Sequence, residues 1–418
     1  MRSAVAASVL FLMASAVPVF CNQEPEPNVN SRYTVESVEI SPRAEPRLSS
    51  GLLGDIRKLV GEHYDQQRVD RLVSLMGKEL RGYRVIHRLA KGTRPEALRL
   101  VIDVVRTRKD QDVVLPRLVY HSRQNFSFGA DVDFDVSGHV FTLGLLTDND
   151  ELLERYSGFR VGYRRILAGG HVRAGFRAAS WRSQWNGAIE RALAEENPED
   201  VPGIYRTRQQ VEPEVSIEVL PGVWLDAGVS IQRFETQFPA ARHESSHALI
   251  SSLRLERRWD ISGNAHTLEA GYHLRAATNS LGSDFAYTRH GFEAAYGLRH
   301  GKERLLATMT AGVLGGRAPL FDRFVLGNSK TLRGYNKYDV APLGGSRMVH
   351  GSLDYRHRPF RVVYDVGTVY DRGGRARVLH SLAAGLTTGW KRESLCFLIA
   401  FPLKEGRAEP IFLLGMNF

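Results

Sequence analysis

From about residue 110 to its last residue, the chain alternates apolar and polar residues with a period of two. Phe126, Phe128, Ala130, Val132, Phe134 and Val136 alternate with Ser127, Gly129, Asp131, Asp133 and Asp135. Val223, Leu225, Ala227, Val229 and Ile231 do so against Trp224, Asp226, Gly228, Ser230 and Gln232, and Leu268 to Ala276 repeats the theme. Successive side chains of a strand point to opposite faces, so each run reads as a strand with one apolar face. Beyond the N-terminus no stretch approaches the roughly 18 consecutive apolar residues of a spanning helix, which excludes a polytopic helical membrane protein.

Alternation suits a soluble sandwich as well as a membrane barrel. Three features favour the barrel. Many runs reach ten or more residues, the length of a tilted span across roughly 25–30 Å of hydrocarbon. The chain carries an export signal and ends in Phe418, with Phe412, Leu414 and Met416 on the same face. The other face is Gly, Arg, Glu, Asp and His, which offers no second apolar layer for a sandwich core. At roughly 18–20 residues per strand and connection, Gln111 to Phe418 predicts about 16 antiparallel strands, an even number as such barrels require.

The first 110 residues follow a different period. Met1-Arg2-Ser3 and the apolar Ala4 to Val19 predict a signal peptide over 1–21, with small residues at Ala14 and Ala16, or Val19 and Cys21, spaced for cleavage. Phe20 is bulky where a lipidated Cys21 would need a small neighbour. A polar, Pro-rich linker follows over 22–32. Residues 33–109 then read strand, helix, helix, strand, strand. Val35, Val38 and Ile40 mark the first strand; Leu52, Ile56, Leu59 and Val60 recur at helical spacing before Gly61; Asp65 can cap a helix whose one face is Val69, Leu72, Val73, Met76 and Leu80. After Gly82, Tyr83 to Leu89 and Leu98 to Val105 complete a small α+β unit, and 110–418 is left to the barrel.

Composition narrows the function. With 43% apolar and 9% aromatic residues the chain is not disordered, and two cysteines cannot make a disulfide scaffold. Cys396 lies in an apolar run far from Cys21. The net charge of +10 reads as a basic surface or lumen, since no basic cluster interleaved with aromatics points to nucleic acid. Nothing predicts an enzyme: the 14 histidines are scattered, no His/Cys cluster has zinc spacing, no G-x-S-x-G appears, and Gly344-Gly345 is a turn element. His121, His171, His273 and His350 read as solvated lumen or strand-end residues. No cofactor and no metal is expected.

Residues 318–347 form the longest non-alternating stretch of the barrel and are rich in glycine. They contain Phe321-Asp322-Arg323-Phe324-Val325-Leu326-Gly327-Asn328, then Leu332-Arg333-Gly334-Tyr335, then Gly344-Gly345-Ser346. Gly351 to Arg356 and Val363-Tyr364-Asp365-Val366-Gly367 follow as strands, and Gly415-Met416-Asn417-Phe418 closes the chain. Together these resemble the surface-antigen barrels of the BamA/TamA outer-membrane assembly superfamily. The resemblance implies 16 strands, a sixth extracellular loop whose Arg-Gly-aromatic tip folds into the lumen, and a C-terminal barrel signal at Phe412, Met416 and Phe418. The α+β unit resembles a single periplasmic POTRA module. Asp354 stands where that family usually has Glu.

Alternation independently places Asp354 with Ser352 and Arg356, and Asp365 with Gly367, on lumen faces. An Arg333 folded back into the lumen could engage both carboxylates through charge-assisted bonds, with Gly334 turning tightly and Tyr335 wedged on the wall. The alternative is that these are scattered charges in a polar lumen. Two functions follow. In the first, the barrel assists insertion or translocation of polypeptides in the outer membrane, surrounded by lipid, with extended clients and periplasmic accessory proteins as partners and the POTRA sheet edge as the docking element. In the second it is a passive pore whose Arg173, Arg177, Arg254, Arg275 and Arg299 favour small anions.

Overall fold

The computed structural model describes residues 32–40, 45, 48–80, 83–106, 111–136, 138–167, 170–195, 203–390, 393–404 and 409–416. The expected signal peptide, nearly all of the linker, Gly82 and Phe418 lie outside these residues. The chain divides into two units, Met1–Thr107 and Arg108–Phe418.

In the first unit, β1 (Thr34–Ile40) lies parallel to β3 (Ala97–Arg106), and β2 (Tyr83–Lys91) lies antiparallel to β3 on its other side, so β1 and β2 are the edges. Helix α1 (Ser50–Arg57) starts at Ser49, whose hydroxyl accepts from the Leu52 N–H, and α2 (Gln66–Glu79) starts at Asp65, whose carboxylate accepts from the Arg68 N–H. Such caps satisfy amide groups that a helix start leaves unpaired. The apolar stripe of the two helices meets the sheet: Ile56, Val69 and Met76 are buried with Val35, Leu100 and Ile102.

The second unit is a closed antiparallel barrel of 16 strands. They are β4 (Gln111–His121), β5 (Asn125–Val136), β6 (His139–Asp148), β7 (Arg155–Leu167), β8 (Val172–Gln184), β9 (Ile204–Leu220), β10 (Val223–Phe238), β12 (Ala248–Ile261), β13 (Asn264–Ala277), β14 (Tyr287–His300), β15 (Glu303–Gly316), β16 (Arg347–His357), β17 (Phe360–Tyr370), β18 (Leu379–Trp390), β19 (Glu393–Pro402) and β20 (Ile411–Met416). A short β11 (Arg242–Ser245) continues β12 along β10. One end has two- to four-residue turns; the other has longer loops apart from the three-residue turn between β4 and β5, the longest being 317–346. Leu145, Phe159, Leu249, Phe292, Leu353, Leu382, Phe412 and Leu414 are exposed on the outer wall, as hydrocarbon contact requires.

The inner face departs from the uniformly polar set that alternation predicts. On β17–β20, Val363, Ala383, Leu398, Ala400, Ile411 and Leu413 are buried together inside. Both faces of β19 are apolar there, and alternation cannot tell a face toward lipid from a face that packed protein shields from water.

Candidate functional site

Loop 317–346 leaves β15 and turns into the barrel. Phe321 meets Tyr205 and Phe234 edge-on, with centroids 5.2 and 5.5 Å apart, and the Arg208 guanidinium lies 4.3 Å over the Phe321 ring. Leu320 and Leu343 pack with Leu153 and with Ile189 and Leu193 of α3 (Gly187–Glu195), the short helix in the long acidic connection after β8. Three loops thus share one apolar cap at the long-loop end, and that cap fixes the entry of the loop into the lumen.

Past this cap the chain is turned by local bonds. Asn328 Oδ1 accepts from the Lys330 and Thr331 amides, both at 2.9 Å. Leu332 is fully buried and takes a φ of 46°, the left-handed region. A non-glycine residue holds that conformation only where its surroundings fix it. It delivers Arg333 to the wall.

The Arg333 backbone N–H donates to Asp365 Oδ2 at 3.1 Å, and its Nη1 donates to Asp365 Oδ1 at 2.6 Å and Ser352 Oγ at 3.3 Å. Arg333 is 6% exposed and Asp365 0%. His350 Nε2 lies 3.7 Å from Asp365 Oδ1.

Asp354, expected as the second carboxylate for Arg333, is not its partner. Arg356 and Arg361 hold it instead, their Nη2 atoms 2.7 and 3.0 Å from Oδ2. Register is the reason: Ser352 pairs with Asp365, while Asp354 pairs with Val363, one inward step nearer the short turn. Gly334 also differs from expectation. Its φ is not left-handed; a Cβ there would collide with the Phe401 carbonyl and the Pro402 nitrogen of β19, so glycine is needed for close backbone approach. Tyr335 packs half-buried on the apolar cluster that includes Leu332, and Gly367 leaves room for Leu326, whose Cδ1 would lie 3.2 Å from an added Cβ. Phe412 points outward and Met416 is half-buried at the end of β20.

A second anchor carries no signal in the sequence. Lys337, in α4 (Lys337–Val340), is fully buried, and its ammonium donates to the carbonyls of Asn149, at 2.9 Å, Asp150 and Leu152. Burial pulls its pKa from the ordinary 10.5 down to about 7, against the pull of Asp148 and Glu154. Ser329 donates to Asp150, which also pairs with the buried Arg117 of β4. Gln124 donates to the Gly327 carbonyl at 2.8 Å and Asn336 Oδ1 at 3.1 Å. The loop therefore grips β4 and its neighbours as well as β16, β17 and β19. No periodicity marks Arg117, Asp150 or Lys337, because their partners are backbone carbonyls or side chains on distant elements.

The seam between the first and last strands is short among the described residues. Among the described residues β20 pairs with β4 only from Leu118 to His121, opposite Met416 to Leu413, with Ser122 and Phe412 exchanging two further bonds. The 14-residue β12 and β13 pair along their whole length. Below Leu118, β4 carries a register break between Val114 and Arg117, around Pro116. Proline has no N–H to donate and is confined to edges and bulges.

The Omp85 superfamily domain matches residues 118–390, well over half of the chain. The chain belongs to the Omp85 superfamily. The Omp85 region includes the lumen loop and both strands that receive Arg333. The chain is 32% identical over 130 residues to the outer membrane protein assembly factor BamA of Nitratidesulfovibrio vulgaris, a match that covers 26% of this chain and 16% of that protein. In fold it is similar to BamA from Haemophilus ducreyi lacking POTRA domains 1–3, with a TM-score of 0.58 at 15% identity over 92% of this chain and 84% of that one. It is similar also to CdiB from Acinetobacter baumannii, with a TM-score of 0.59 at 12% identity over 92% and 74%. The small α+β unit followed by a 16-strand barrel is thus the architecture of an Omp85 outer-membrane protein.

Proposed function

We propose that this Omp85 barrel assists insertion or translocation of polypeptides at the outer membrane, with its N-terminal unit acting as a single periplasmic POTRA module. The observation that carries this reading is the short β4–β20 seam. A strand pair held at few positions is the cheapest place to open a closed barrel, and the freed edge can accept a strand from an extended client. The loop gripping β4, β16, β17 and β19 would hold the barrel in register while that seam works. The edges β1 and β2 offer the same backbone chemistry for docking clients or accessory proteins.

The passive-pore reading has less support. The apolar cap of Leu153, Ile189, Leu193, Leu320 and Leu343 lies at the long-loop end, and three of the arginines of the pore reading are held by acids: Arg254 binds Asp226, Arg275 binds Glu212 and Arg177 binds Glu214. Two assays separate the readings. Reconstituted protein should speed the folding of an unfolded barrel client into liposomes. In planar bilayers it should give small, flickering conductance that becomes large and steady when Leu320 to Ser346 is deleted. A large steady wild-type pore without client folding would favour the passive channel.

A further inference from the structure

Near the short-turn end, four adjacent strands place an arginine in one cross-strand row. Arg299 of β14 pairs with Arg304 of β15, Arg304 with Arg356 of β16, and Arg356 with Arg361 of β17. Neighbouring strands lie about 4.8 Å apart, and like charges directly opposite one another destabilise a sheet. Arg299 and Arg304 are exposed, so water screens part of that repulsion, and a bound anion would offset the rest. Asp354 accepts from Arg356 and Arg361, which accounts for one negative charge. Among the described residues no carboxylate pairs with Arg299 or Arg304. Arg304, Arg356 and Arg361 line one side of a lumen cavity of about 880 Å³, whose β12–β14 side carries Glu256, Glu269 and Glu293 together with Arg254.

We propose that this arginine row is a binding site for a phosphate group, entered through the lumen from the short-turn end. A phosphate carries about two negative charges and three strong acceptor oxygens, whereas one further carboxylate would leave most of the row's excess charge unmatched. Guanidinium groups on adjacent strands can each present a planar fork to it, a geometry lysine lacks. Arg304 is central to the row, with an arginine on each side and no acid of its own. The phosphate can come from a lipid headgroup or a free phosphate compound.

The test is calorimetric titration of the full chain in a phosphate-free maltoside detergent at fixed ionic strength. The probes are inorganic pyrophosphate, water-soluble dihexanoyl phosphatidic acid and an Asp-rich hexapeptide. Pyrophosphate or the short lipid should bind, with affinity falling at least tenfold in Arg304→Gln, and part of that loss should persist in Arg304→Lys. Arg191→Gln on the exposed face of α3 should bind as wild type does. Tighter binding of the lipid than of pyrophosphate, by tenfold or more, would identify a headgroup as the source; equal or weaker binding would identify a free phosphate compound. Circular dichroism and heat-shifted gel mobility establish that the variants are folded; removal of one like charge should leave both unchanged. Loss of the fold in both Arg304 variants would overturn the proposal, since the row would then be structural. It is likewise overturned if neither phosphate probe binds, if Arg304→Gln binds as wild type, or if only the acidic peptide binds.

Discussion

Arg333 occupies both oxygens of Asp365, one through its backbone N–H at 3.1 Å and the other through its guanidinium at 2.6 Å, so a single residue anchors the loop main chain and its charge on one buried carboxylate. Breaking such a pair leaves an uncompensated charge and costs about 3–5 kcal/mol. Asp365→Asn and Arg333→Ala are each expected to undock the loop, exposing Arg323 and Lys337 to trypsin, which leaves wild-type protein uncut at these two sites under the same conditions.

Asp354→Asn should behave differently. It removes the acceptor shared by Arg356 and Arg361 and leaves Arg333 on Asp365. The loop should stay protected from trypsin, while the heat-shifted gel transition of the whole barrel falls. Equal loop cleavage in Asp354→Asn and Asp365→Asn would contradict a docking of Arg333 on Asp365 alone.

Gly334→Ala drives a methyl group into the β19 backbone. Overpacking of this kind costs about 1–3 kcal/mol. Trypsin sensitivity intermediate between wild type and Arg333→Ala is expected, and protection equal to wild type would show that the approach to Phe401 is not tight.

Lys337 gives the loop a pH dependence of known sign. Folding lowers its pKa from 10.5 to about 7, so the folded state disfavours the ammonium. The resulting penalty is full below pH 7 and fades as pH rises toward 10.5. Over that window wild type should gain stability relative to Lys337→Met by at most about 1.4 kcal/mol per pH unit, read from urea unfolding at pH 7.5 and 9.5. A difference that is flat or shrinks with pH would contradict the burial of this group.

Much of the barrel was legible because the period of two reports a wall with two unlike faces, and the helix signals of the N-terminal unit, Asp65 above all, lie in local sequence. Alternation puts Asp365 on the lumen face, and the loop motif that resembles the BamA/TamA superfamily nominates Arg333. Which carboxylate Arg333 meets could not, since that depends on Ser352 rather than Asp354 lying opposite Asp365. Alternation also fails on β19, where Leu398 and Ala400 face inward and Phe397 and Phe401 outward, so that both faces are apolar. The Lys337 anchor leaves no trace in sequence because carbonyl oxygens have no residue identity.

The most direct test of the proposed function is a lock on the seam. Tyr120 and Leu414 are register partners across β4 and β20, so Tyr120→Cys/Leu414→Cys can bridge the two strands. Client folding into liposomes would be timed with the pair oxidised and again after reduction. The oxidised protein should lose its acceleration and the reduced protein regain it. Equal acceleration with the seam locked would contradict a working seam between the first and last strands.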